Sequence, residues 1–298
     1  MINQFTQKLI EVTIWLNSGT VAAPVYNDAD KKTYSGLWIT ADIELLGMGQ
    51  QSSATLGVYG MSQSDMNRLE TTGSIQQQNT RINKIMVAAG EVGGTMYVVH
   101  EGFIDTAYPE ITQPKTKFTI FSATALDAQM KPVAASSYQG SVQVSVILAD
   151  LAKEAGLTLK DLGVKKVMDN AYLTGNAIDK INTVCRAVDI EHNIKGTVLT
   201  VFEKQHVKDS GVVISAVAGA YPLMLGVPHC SSFELSVKTV FYTGFDMAKA
   251  VKVESTDHPN ATGMWQPCKI THHLECFSQN QGATWETALQ CTRTALYA

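Results

Sequence analysis

The stretch Leu37-Trp38-Ile39-Thr40-Ala41-Asp42-Ile43-Glu44-Leu45 alternates without a break. Leu37, Ile39, Ala41, Ile43 and Leu45 fall on one side, and Trp38, Thr40, Asp42 and Glu44 on the other. A repeat of two is that of a pleated strand, whose successive side chains point to opposite faces, so the stretch predicts a half-buried strand with an apolar inner face. Upstream, Leu9–Leu16 alternates around Ile10, Val12, Ile14 and Leu16; downstream, Ser53–Tyr59 forms a third such run.

The rest of the first third keeps this character, with short β-branched and aromatic runs between Gly, Asn, Asp and Pro clusters. Ser62 sits three residues before Asp65, as a helix cap does, and Met66 and Leu69 are placed inward on the short helix it opens. Lys84–Ala89, the glycine-rich Gly90–Gly94 and Met96–Ile104 predict a hairpin. Lys117–Ala123 predicts a further strand, and Lys131–Tyr138 a linker.

From Ser141 the period becomes helical: Val144, Leu148, Leu151 and Ala155 form one stripe, with Ser141 as the expected cap and Gly156 as the stop. A second helix is expected over Ala177–Ala187, with Ile178, Ile181, Val184, Cys185 and Val188 inward. Lys195 and Gly196 then turn a hairpin into Thr197–Phe202. After Gln205 the strand pattern returns in Val212–Ser215, Phe233–Phe241, Ala250–Glu254, Gln266–Phe277 and Thr284–Thr292. The expected fold class is β-rich α+β, with two antiparallel β domains, residues 1–133 and 206–298, flanking a small α+β domain, 134–205.

Composition narrows the function. The 298 residues are 45% hydrophobic, enough for a sizeable core. The net charge of −4 and the absence of a basic cluster argue against a dedicated nucleic-acid binder. Charged residues make up 17%, below the roughly 25% of typical soluble domains, which favours a surface covered by partners. No apolar run reaches the ~20 residues of a membrane helix, and Met1–Ile14 lacks the features of a secretory signal, so synthesis in the cytoplasm is expected. Five cysteines, Cys185, Cys230, Cys268, Cys276 and Cys291, are an odd number without scaffold spacing and are read as reduced thiols.

Cys268, His272, His273 and Cys276 are zinc-type ligands, but on a strand, four residues span roughly 13 Å, too far for ligands that sit about 2 Å from one ion. Gly47, Gly49 and Gly57 lack the spacing of a phosphate loop and suggest a turn. Asp42 with Glu44, and Glu254 with Asp257, suit a solvated face better than a glycosidase pair. Met247, Met264, Trp265, Phe277 and Trp285 suit a core or subunit contact better than a ligand groove. No nucleophile motif occurs. The expectation is a protein that is not an enzyme, with no catalytic, cofactor-binding or metal-binding residues and no cofactor.

Four segments, GLWITADIEL (36–45), YGMSQSDMNRLE (59–70), GTMYVVHEGFIDTAYPE (94–110) and MWQPCKITHHLECFSQNQGATWETALQC (264–291), together resemble the baseplate hub protein of contractile-tailed bacteriophages. The last has the hub-like order of a Trp strand, an aliphatic strand ending in a His-Leu pair, a Gly turn and a terminal strand led by Trp285. The resemblance implies two tail-tube-like β-barrel domains in a structural subunit of a homotrimeric ring. That ring would join the tail tube protein to the central spike protein, meet baseplate wedge proteins, and let phage DNA pass. It also implies a place in the virion tail baseplate after assembly in the host bacterial cytoplasm, without membrane insertion. The competing expectation is a tail-associated carbohydrate-binding or cell-wall hydrolase module.

Overall fold

The computed structural model describes residues 6–20, 23–47, 49–71, 82–112, 115–203, 207–217, 219–278 and 283–294. The protein is β-rich α+β, and its residues pack into two compact units. One takes residues 1–43, 53–130 and 273–285; the other takes 44–52, 131–272 and 286–298.

The first unit holds β1 (Lys8–Trp15), β2 (Lys32–Tyr34), most of β3 (Trp38–Leu46), β4 (Ser53–Tyr59), helix α1 (Gln63–Leu69), β5 (Lys84–Glu91), β6 (Met96–Thr112), β7 (Lys115–Ala123) and helix α2 (Leu126–Met130). Its strands run in the order β3-β4-β7-β6-β5-β1-β2. The β4–β7, β6–β7, β5–β6, β1–β5 and β1–β2 pairs are antiparallel. The inner face is the one the alternation predicts: Ile10, Val12, Ile14, Ile39, Ile43, Leu56, Val58, Ile85, Val87, Phe118 and Ile120 are fully or almost fully buried. Burying each such side chain contributes about 1.5–3 kcal/mol. Ser62 caps α1 as expected, its hydroxyl accepting from Asp65 N at 3.2 Å, and Met66 and Leu69 are buried. Strand β6 continues well beyond Ile104, because Phe103–Thr112 pair along β7 with one register shift, at Asp105.

The second unit contains β8 (Ser136–Ser137), β9 (Ser141–Gln143), α3 (Val144–Glu154), β10 (Thr158–Asp161), β11 (Val167–Asp169), β12 (Tyr172–Leu173), α4 (Ala177–Ala187), β13 (Ile190–Lys195) and β14 (Val198–Glu203). Then come β15 (Lys208–Ser215), β16 (Met224–Cys230), β17 (Glu234–Val240), β18 (Lys249–Glu254), most of β19 (Gly263–Cys276) and most of β20 (Trp285–Arg293). A three-stranded sheet, β10-β14-β13, backs onto the two helices. The later strands run β16-β17-β20-β19, with β18 beside β19 and β15 parallel to β18. A parallel bridge, Ser215↔Leu223, ties the end of β15 to the approach of β16. Their core is built on Trp265, Ile270, Val251, Val253, Leu235, Val237, Leu289 and Phe245.

Two expectations change. Ser141 does not cap α3: Ser141–Gln143 pair with Val167–Asp169, so the helix opens at Val144 with Gln143 in the cap position and no side-chain cap. The strand β16 was not expected at all. Helix α4 matches its expected span and has a full capping box between Asn176 and Asp179.

Candidate assembly surfaces

A β-bulge adds a residue to one strand of a pair and reverses the parity of its alternation. Each unit has a register irregularity next to exposed apolar side chains. In the first unit the β5–β6 register shifts between Val87 and Ala88: Val87 pairs with His100 and Ala88 with Val98, leaving Val99 without an opposite residue. Val99 and His100 point inward, and Tyr97 and Val98 are about half exposed, 49% and 47%.

In the second unit the β16–β17 register shifts between Leu225 and His229. Gly226 lies inside this shift at φ +73°, a left-handed conformation that favours glycine. Leu225 and Val227, two apart and so on one face, both point out, with Val227 64% exposed, while Met224 and Pro228 stay buried. Tyr221 and Phe233, on either side of the strand, are also exposed. The strand's other margin is partly occupied, since His258 Nδ1 pairs with Pro228 O at 3.0 Å and Cys230 Sγ with Asn260 O at 3.6 Å. By contrast the short margin strand β2 carries Lys32, which pairs with Asp65 at 2.6 Å, and a lysine on the margin is a common way to blunt an edge. Neither apolar pair was singled out from sequence. The available signals were Tyr97-Val98-Val99, three apolar residues in a row, and Gly226-Val227-Pro228 interrupting a strand.

The Cys, His and acidic residues with chemical potential lie in separate places. Cys268 Sγ donates to Gln290 O at 3.2 Å; His272 is buried, with Nδ1 2.9 Å from Thr287 Oγ1 and its ring edge-on to Phe241. His273 pairs with Asp42 at 2.6 Å, and Cys276 Sγ lies 3.5 Å from Leu37 O. Among the described residues no group of three or more His, Cys, Asp or Glu gathers as metal ligands would. Burial pushes the Cys185 thiol up to about 12 and raises those of Cys268 and Cys276, so these thiols stay protonated and poorly nucleophilic near neutral pH.

Glu44 pairs with Lys269 at 2.7 Å and Glu254 with Lys252 at 2.8 Å. Asp257 is exposed. Trp265 and Met247 are core residues, the Trp265 indole donating to Ala261 O at 2.8 Å, while Met264, Phe277 and Trp285 are half-buried. Gly47 and Gly49 form the turn between β3 and β4, with Gln50 N bonded to Gly47 O. Gly57 lies within β4.

Three buried polar side chains escaped the sequence reading. Burial brings His100 down to about 4; its Nε2 is 2.8 Å from Ser122 Oγ, and its Nδ1 has no partner. His192 is also lowered to about 4, mainly by burial and secondarily by the Arg186 charge. Lys180 is 0% exposed on α4, and its Nζ donates to Ala134 O, to Ser136 Oγ at 3.0 Å and to Glu154 Oε2 at 2.9 Å.

The fold recurs in solved tail proteins. E. coli c3393, described as a type VI secretion component with structural similarity to the T4 tail proteins gp27 and gp5, superposes with a TM-score of 0.58 at 10% identity, over 85% of this chain and 73% of its own. The 43 kDa tail protein of prophage MuSo2 from Shewanella oneidensis gives 0.60 at 9% identity, over 95% and 98%. A tail protein from Neisseria meningitidis MC58 gives 0.60 at 9%, over 95% and 96%. These likenesses place the chain in the fold class of phage-tail and related secretion proteins. Among curated proteins, none matches the sequence. The family model described as baseplate hub gp41 matches residues 9–283, and the chain belongs to that family. It is therefore a structural component of the phage tail baseplate, not an enzyme. Among the described residues no helix is long and apolar enough to cross a membrane.

Proposed function

We propose that this hub subunit acts as a homotrimer, a threefold ring that joins the tail tube protein to the central spike protein, contacts baseplate wedge proteins and lets DNA pass during infection. In this reading residues 1–133 and 206–298 are two tube-like β-barrel domains flanking the small α+β domain 134–205, and the sites of the chain are contact surfaces without catalytic, cofactor or metal residues. Assembly would take place in the host cytoplasm.

The observation that carries the reading is the pair of exposed apolar sites, Tyr97–Val98 and Leu225–Val227, one on each set of strands. Family membership supports the hub role, and the Ser215↔Leu223 bridge supports a barrel-like course for the second set. Two similar barrels per subunit give a trimer six quasi-equivalent surfaces, the number needed to match a hexameric tube to a threefold spike.

Light scattering of the purified protein, alone and mixed with tube and spike proteins from the same source, tests this. Three 32.3 kDa chains give about 97 kDa. A 32.3 kDa particle indifferent to both partners would overturn the proposal, and clearing of peptidoglycan in a zymogram would point to a hydrolase instead.

A further inference from the structure

The sheet β10-β14-β13 has one face on the helices and one that is polar. Parallel pairing sets Thr158 beside Val198 and Lys160 beside Thr200; antiparallel pairing sets Lys195 beside Val198 and Asn193 beside Thr200. Residues two apart on a strand share a face. Two adjacent rows therefore lie on the same side, Lys160–Thr200–Asn193 and Thr158–Val198–Lys195. The opposite side carries Leu199, Val201, His192 and Ile194, all buried, with α3 against β10 and α4 against β13.

The polar side lines a cavity of about 360 Å³, whose other wall is Thr243–Met247 with Leu45, Ser52 and Ile270. The cavity thus has two kinds of lining. Leu45, Phe245, Met247 and Ile270 offer buried apolar surface, and Lys160 and Lys195 are exposed cations at its margin. Among the described residues neither lysine has an ion-pair partner. Asp246 is the one carboxylate in the lining, and its Oδ1 accepts from Ala248 N at 3.0 Å.

We infer that this cavity docks an acidic segment of a partner protein, which seats an apolar side chain on Leu45, Phe245, Met247 and Ile270 and presents adjacent carboxylates to Lys160 and Lys195. The inference rests on the hub reading for its partner. An apolar floor beside a cationic margin is complementary to a residue pair such as Phe-Glu. Inorganic phosphate would leave the apolar floor unused and meet the Asp246 carboxylate.

The test uses the intact protein and ligand-observed fluorine NMR with acetyl-(4-fluoro-Phe)-Glu-Glu-amide, its Gln-Gln counterpart and sodium phosphate as probes. Saturable broadening by the Glu peptide is expected. Binding should be at least tenfold weaker for the Gln peptide and at least tenfold weaker in the Lys160→Gln/Lys195→Gln protein, with circular dichroism confirming that the variant is folded. Equal binding of the two peptides, undiminished binding by the folded variant, or phosphate binding as tightly as the Glu peptide would each overturn the assignment. Mass measurement separates the two readings. A trimer that ignores the Glu peptide sinks the site and leaves the hub, whereas a peptide-binding protein that stays at 32.3 kDa with tube and spike sinks the hub and leaves the site.

Discussion

Lowering the pH from 7.5 to 4.5 should weaken the fold through two histidines. His100 and His192 are lowered from 6.5 to about 4, chiefly because burial penalises their charged forms. Between those values the unfolded chain binds a proton at each site and the native chain does not. Stability from these groups is thus fully present above pH 6.5 and declines as pH falls toward 4. With the ordinary value in the unfolded state, each contributes a loss of about 2.5 kcal/mol by pH 4.5. Against the 5–15 kcal/mol typical of folded proteins that is a large change, on the order of 1 M in a urea midpoint for each histidine.

Asp65, Glu91 and Glu110 are lowered too, by hydrogen bonds from Lys32, Lys8 and Thr119 respectively before any other cause. They lose their contribution only as pH falls below the ordinary carboxylate range, outside most of this window. Urea titrations followed by tryptophan fluorescence at pH 7.5, 5.5 and 4.5 should show midpoints falling steadily, and His100→Gln should remove about half of the fall. A wild-type midpoint that does not move, or a His100→Gln protein that loses as much as wild type, would refute the argument that burial of these rings sets the acid sensitivity.

Three further perturbations address other parts of the molecule. Glu154→Ala leaves the fully buried Lys180 ammonium without its counter-ion and should cost about 3 kcal/mol in chemical denaturation, while Lys180→Met, which removes the charge itself, should cost clearly less. Gly49→Ala should cost about 1–3 kcal/mol, since Gly49 sits at φ +75° and a Cβ there would lie 2.8 Å from Asn182 Oδ1; a thermal melt reads it directly. Val227→Lys should leave the melting temperature within the small range of surface changes, about 0.5 kcal/mol or less, yet lower the trimer fraction in light scattering, and an unchanged trimer fraction would remove Val227 from the contact surface.

Where a strand keeps its alternation from end to end, its course was legible before the structure. Leu37–Leu45 and Ser53–Tyr59 needed only a period of two, and α4 only its stripe of Ile178, Ile181, Val184 and Cys185. What was not legible depends on partners distant in the chain. Ser141 has the chemistry of a cap but is held in a ladder by Asp169, 28 residues away. The strand β16 is hidden because Gly226 and Pro228 normally mark a turn, and only pairing with β17 makes them part of a sheet. The same holds for the candidate sites. The bulge at Val99 puts Val99 and His100 on the same inward side, and Ala134, Ser136 and Glu154, distant in the chain, close around Lys180. The cavity needs Lys160 and Lys195 on two strands that never touch, with β14 between them.

Chains only 9–10% identical share this fold, and the physics of its strands explains how. An inner face asks for apolar side chains of suitable volume at every second position, a demand that Val, Ile, Leu and Phe meet interchangeably. Fold information of this kind resides in the period and its interruptions, so it survives replacement of nearly every residue. The outward sites have no such freedom if they do the work proposed here. Val227 is 64% exposed, and Lys160 and Lys195 have exposed side chains, so folding alone would accept many residues in their places. Their identity gains a physical reason only from something that binds there. Substitutions at Leu225, Val227, Lys160 and Lys195 should therefore separate assembly from stability, whereas substitutions at Ile39, Phe118 or Trp265 should lose both together.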